Sequence, residues 1–168
     1  MPSEPAHRIV VLAPGEFAFG DADTLLQTLL GSCIALTFWH PHFRVGAMCH
    51  YMLPFRPSHK LVEPSGRYAD EALTAIHTRF RNMGLAAPGF EVRMFGGANM
   101  FPGLTGETPS IGDRNIDAGK ELMGELGYRI LQEDLGGPLH RRVVFSVGSG
   151  RVDVQYGEGP ARDRGGRR

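Results

Sequence analysis

The chain has 168 residues, 42% hydrophobic and 21% charged, a length that suits one domain able to bury roughly two-thirds of its unfolded surface without disulfide staples. Its 18 Lys plus Arg are matched by 18 Asp plus Glu, so no charge excess speaks for nucleic acid or an anionic membrane surface as partner. Two cysteines are too few for a secreted disulfide framework. The first apolar run, at 9–13, falls far short of the ~20 residues of a membrane span and lacks a signal-peptide layout; the expected location is the cytoplasm.

Residues 1–7 and 157–168 are rich in Gly, Pro and Arg and read as flexible tails flanking one domain over 8–156. Within it, apolar and β-branched runs at 8–12, 33–39, 44–52, 91–95, 128–133, 142–147 and 151–155 predict strands. The sequence "HPHF" after Trp39 predicts a turn that folds the second and third of these into a hairpin. Two segments carry the helical period instead: Leu73, Ile76, Phe80 and Met83, then Ile116, Gly119, Met123 and Leu126. Asp113 or Gly112 is expected to cap the second helix at its start, and Gly84 and Gly127 stand where the two helices should stop. Long Pro-, Ser- and Gly-rich loops are expected at 55–66 and 101–112. Clustered strands with two interspersed helices predict a single-domain, layered α/β fold with a mixed sheet rather than a βαβ repeat.

The chemistry concentrates in one stretch that holds both cysteines, Cys33 and Cys49, with His40, His42 and His50. As zinc ligands they are badly spaced, because Cys33 stands alone and adjacent residues on a strand, such as Cys49 and His50, point to opposite faces. Covalent catalysis asks for less. In "LLGSC" the small residues Gly31 and Ser32 place Cys33 at the mouth of a strand, where the backbone can bend around the sulfur and aim N–H groups at an oxyanion. A hairpin around Pro41 brings Cys33 opposite the far end of the next strand, near His50, which could take the thiol proton. The plainer reading stands beside it: a small buried hydrophobe and a hydrogen-bonded core histidine. Alternation assigns Cys49 to packing, and Ser32 lacks the elbow motif of a serine hydrolase.

The segments "LLGSCIAL", "VGAMCHYMLP", "GRYADEAL", "FGGANMF", "IGDRNIDA" and "EDLGG" together resemble the CheD family of chemoreceptor glutamine deamidases. The resemblance implies Cys33 as nucleophile, His50 as general acid and base, and backbone N–H groups of Ser32 and Cys33 as the oxyanion site. It also implies a threonine ahead of the cysteine that orients the histidine. Thr28 is the expected residue, with Gln27 at the neighbouring position where some members place that threonine. A three-layer α/β/α-type fold, shared in outline with glutamine-deamidating bacterial toxins, is implied as well. So are chemoreceptor cytoplasmic helices as substrate, a CheC-type phosphatase as partner, and no cofactor or metal. The alternative within the same resemblance is a non-catalytic binding module that acts on receptors and phosphatase by association.

Overall fold

In the computed structural model, which describes residues 7–58, 62–103 and 109–158, the expected hairpin is the centre of the molecule. Its strands β4 (Ile34–His40) and β5 (Val45–Tyr51) pair antiparallel from His40 against Val45 to Ile34 against Tyr51. Around them β1 (Arg8–Leu12), β2 (Phe17–Gly20), β3 (Thr24–Leu30), β6 (Glu91–Gly96), β7 (Ile130–Leu135), β8 (Arg141–Ser146) and β9 (Val152–Tyr156) complete two sheets, with helices α1 (Ala69–Asn82) and α2 (Ile111–Leu126) between strands. The five-stranded sheet runs β2-β5-β4-β6-β7 and the four-stranded sheet β1-β3-β8-β9.

Strand parity sorts the core into two layers. Ile34, Leu36 and Phe38, with Ala47, Cys49 and Tyr51, face the helices and meet Leu73, Ile76, Phe80 and Met123. The alternate positions Ala35 and Met48 face the other way, where they meet Leu26, Leu30, Val143 and Phe145 of the four-stranded sheet. Because β4 and β5 are covered on both faces, their sequences read as nearly continuous apolar runs. The mixed α/β class and the single domain are as the sequence predicts, while the third layer is a second sheet in place of the second helical layer that the resemblance implied.

That second sheet depends on β3, which sequence patterning missed together with β2. Its inward residues are Thr24, Leu26, Thr28 and Leu30, all buried, whereas Leu29 points outward and is 61% exposed. Threonine inside and leucine outside erase the alternation that announces a half-buried strand.

The helix termini also depart from expectation in detail. Helix α2 is capped by Ser110, whose hydroxyl accepts from the Asp113 N–H while the Asp113 carboxylate accepts from the Ser110 N–H, so Asp113 is the third residue of a capping box and not the cap itself. Gly112 lies inside the first turn, where a Cβ would fall 2.4 Å from the Gly97 carbonyl oxygen. Met83 follows the last residue of α1 and is 52% exposed, so the buried stripe ends at Phe80. Gly84 and Gly127 follow the helices as predicted. Of the tails read at 1–7 and 157–168, residues 1–6 and 159–168 lie outside the described residues, as do parts of the two long loops, at 59–61 and 104–108.

Arg141 ties the two sheets at one edge. Only 5% exposed, it donates from Nε to Asp134 at 3.1 Å and from its two terminal nitrogens to the carbonyls of Gly136 and Leu139, while the Tyr156 hydroxyl donates to the other Asp134 oxygen. Arg141→Met should cost about 2 to 3 kcal/mol in urea unfolding, since it strands a partly buried carboxylate and two carbonyls. The exposed pair Arg151–Asp153 is the control, and its removal should leave the midpoint unchanged.

Candidate functional site

The site grows from the open end of the hairpin. His50 is one strand position beyond Cys49, so it faces the four-stranded sheet, and it is 1% exposed. Its backbone is held by the segment just before β2: its N–H donates to the Glu16 carbonyl and its own carbonyl accepts from the Gly15 N–H. Directly across β4 lies Ala35, and two residues earlier Cys33 packs, half-buried, against the same inter-sheet cluster. Cys33 and His50 are thus diagonal cross-strand neighbours on one face. Cys49, fully buried, lies on the opposite face among the helix-side residues. His40 and His42 sit at the turn end of the hairpin against Phe43. The pairs that looked like shared ligands therefore do not converge.

Thr28 reaches the imidazole from the other sheet. Its hydroxyl oxygen is 2.6 Å from His50 Nδ1 and 2.8 Å from the Leu12 carbonyl oxygen. A hydroxyl has one proton and the Leu12 carbonyl can only accept, so the arrangement free of opposed lone pairs is His50 Nδ1–H donating to Thr28 and Thr28 donating to Leu12. This assignment from hydrogen-bond chemistry puts the imidazole lone pair on Nε2, which is buried and unpartnered among the described residues. Gln27 faces the other way, accepting from Arg142 on the surface.

Electrostatics keep both groups neutral at rest. Burial pulls the His50 pKa down to about 4, opposed by the smaller effect of the Glu16 charge. Burial likewise pushes the Cys33 thiol up, and Cys49 up to about 12. The pair is therefore a neutral thiol and a neutral imidazole, an arrangement in which a sulfur could act as nucleophile only by giving up its proton as it attacks.

The bend at 31–33 has its carbonyls tied back. Gly31 accepts from the Ala98 N–H at 3.0 Å, Cys33 from the Gly97 N–H at 2.9 Å, and Ser32 from the Asn115 side chain at 3.1 Å. The N–H groups of these three residues find no acceptor among the described residues. Sequence reasoning did not single out Asn115. Its one signal was an Asn in the second turn of a helix, where such a side chain competes with the backbone unless it has other partners. Among the described residues no three or more His, Cys, Asp or Glu gather as a metal site.

The family described as CheD chemotactic sensory transduction matches residues 52–156, beginning just past His50. Similarity to individual relatives extends further toward the N-terminus. The probable chemoreceptor glutamine deamidase CheD 1 of Chromobacterium violaceum is 42% identical over 161 residues, 94% of this chain and 82% of that one. The protein named CheD 3 in Dechloromonas aromatica is 39% identical over 150 residues, 89% and 88% of the two chains. In Leptospira interrogans, CheD 1 is 36% identical over 157 residues, 88% and 92%. With a family match over more than half its length and relatives aligned nearly end to end, the chain belongs to the CheD family.

Proposed function

We propose that this protein deamidates glutamine side chains of chemoreceptors to glutamate, in the adaptation of chemotaxis, with Cys33 as nucleophile, His50 as general acid and base, and Thr28 fixing the imidazole. The observation that carries the reading is the hydrogen-bonded chain from His50 Nδ1 through Thr28 to Leu12, which leaves a buried Nε2 lone pair on the face shared with Cys33. His50 takes the thiol proton as sulfur attacks the carboxamide carbon, giving a tetrahedral oxyanion. The freed N–H groups of Ser32 and Cys33 receive that charge, a contribution of about 3 kcal/mol per donor in well-studied hydrolases. The imidazolium then protonates the amine, ammonia departs, and a γ-glutamyl thioester remains. Water deprotonated by His50 attacks the thioester, glutamate leaves, and the thiol recovers its proton.

Each step uses only a thiol, an imidazole, backbone N–H groups and water, all carried by the domain at 8–156. The same chemistry extends to glutamyl methyl esters, whose leaving group is easier to expel. The receptor's cytoplasmic helices are the proposed substrate and the cytoplasm the proposed location; among the described residues no helix is long and apolar enough to cross a membrane. A CheC-type phosphatase is the further proposed partner.

Mass spectrometry of a receptor cytoplasmic fragment incubated with the protein is the test. Specific glutamines should gain about 1 Da as NH2 is replaced by OH. Tight binding to receptor or phosphatase fragments with no mass change would overturn the deamidase and leave a binding module.

A further inference from the structure

We propose that Asn115 is a positioning residue that sets the direction of the Cys33 N–H, by holding the Ser32–Cys33 peptide group at the fork where β4 and β5 part. The ladder between these strands ends at Ile34 and Tyr51. One step further, Cys33 and Met52 would continue it. Instead, the side-chain amide of Asn115 enters the fork and donates to both chains, to Ser32 O at 3.1 Å and to Met52 O at 2.9 Å.

A peptide group is planar, and its C=O and N–H point in opposite directions. Fixing the Ser32 carbonyl toward Asn115 therefore fixes the Cys33 N–H away from it. Of the three carbonyls tied back in the bend, those of Gly31 and Cys33 are held by backbone N–H groups, and Ser32 alone is held by a side chain. This is the peptide whose orientation one residue controls.

Asn115 is itself rigidly placed. It is 0% exposed, and its backbone carbonyl accepts from the Tyr51 hydroxyl at 2.6 Å, on the residue next to His50. The capping box at Ser110 and the close approach of Gly112 to Gly97 fix the start of its helix. Only a short primary amide offers two N–H bonds at that reach. Its Oδ1 is buried with no partner among the described residues, a cost that an apolar residue of the same shape would avoid.

The proposal rests on the reading of Cys33 as nucleophile, so its test includes a readout that needs no receptor. Asn115→Leu keeps the shape but removes both donors, which leaves the Ser32 and Met52 carbonyls without that partner while also removing the orphaned oxygen, so its thermal midpoint should fall by a few degrees and the near-ultraviolet circular dichroism of the folded protein should stay close to wild type. Its kcat for glutamine conversion should fall about 100-fold with KM within about threefold. Because the held peptide also sets where the Cys33 side chain leaves the backbone, and so how its thiol meets His50, alkylation of Cys33 by iodoacetamide at pH 7 should slow about tenfold, toward the rate of His50→Ala. Asn115→Asp separates positioning from packing: burial favours its protonated form, which donates one hydrogen bond. Its kcat should exceed that of Asn115→Leu at pH 5 and lose the advantage as pH rises.

A folded Asn115→Leu protein with wild-type kcat and alkylation rate overturns the proposal. If Asn115→Leu does not fold, a pH-independent kcat in Asn115→Asp overturns it. If the wild-type protein converts no glutamine, the deamidase reading fails, and unchanged alkylation in Asn115→Leu is then what overturns the role of Asn115.

Discussion

Cys33→Ala should abolish glutamine conversion, and His50→Ala should lower kcat by about 10³- to 10⁴-fold, because ammonia does not leave an uncharged tetrahedral carbon unless its nitrogen is protonated. Thr28→Val, which removes the acceptor for Nδ1–H and lets the imidazole turn, should fall between these and wild type. The pH profile separates this neutral pair from one whose histidine titrates near its ordinary value. A histidine with a pKa near its ordinary value would lose its base form below about pH 6.5, and kcat/KM would drop about tenfold per unit from there. With His50 held near 4 by burial, the base form persists, so kcat/KM should stay flat from pH 7 to about 5 and fall only below that. Thiol burial acts at the other end, since a Cys33 pKa raised above the ordinary value delays any thiolate-driven change to strongly alkaline pH. Circular dichroism at each pH secures the comparison, and an acid limb near pH 6.5 in folded protein would sink the neutral-pair account.

Gly96→Ala should be the most damaging single methyl in the molecule. Gly96 has φ of 112°, and an added Cβ would lie 2.2 Å from the Cys33 carbonyl oxygen and 3.2 Å from its carbon. The left-handed backbone disfavours any side chain, and the clash is with backbone that cannot rotate away. Urea unfolding should show a loss of about 3 kcal/mol or more, and the fraction that folds should turn over slowly because the bend at 31–33 is displaced. Gly31→Ala is the control, since its Cβ would meet only the terminal methyl and sulfur of Met100, the free end of a flexible side chain. Equal stability and turnover of Gly96→Ala and wild type would show that the bend tolerates movement.

The glycine pair in "FGGANMF" was visible in the sequence, but the structural reason for it was not. The carbonyl that Gly96 must clear belongs to Cys33, 63 positions earlier in the chain. A similar distance hid the role of Asn115, whose burial follows from the approach of α2 to the Gly97 turn. By contrast β4 and β5 were visible because burial on both faces makes them apolar throughout, and the turn after Trp39 fixed the pairing that brings Cys33 toward His50. Thr28 was legible as a candidate only. Its facing depends on β3, whose inward threonines and outward Leu29 disguise a strand as an unpatterned run. Nor does local pattern reveal that a second sheet, rather than helices, covers the far face, because Leu26, Val143 and Phe145 meet there from strands more than a hundred residues apart.

The imidazole and the hydroxyl that fixes its tautomer belong to different sheets: His50 to the hairpin sheet, Thr28 to the sheet in which β3 is flanked by β1 and β8. Any state in which the hairpin has formed but β3 has not docked keeps its thiol and its base yet has no lock on the ring. During synthesis β8 leaves the ribosome after more than four-fifths of the chain, so the partner that secures β3 arrives late. A chain assembled this way holds the imidazole in one orientation only once its C-terminal strands are in place.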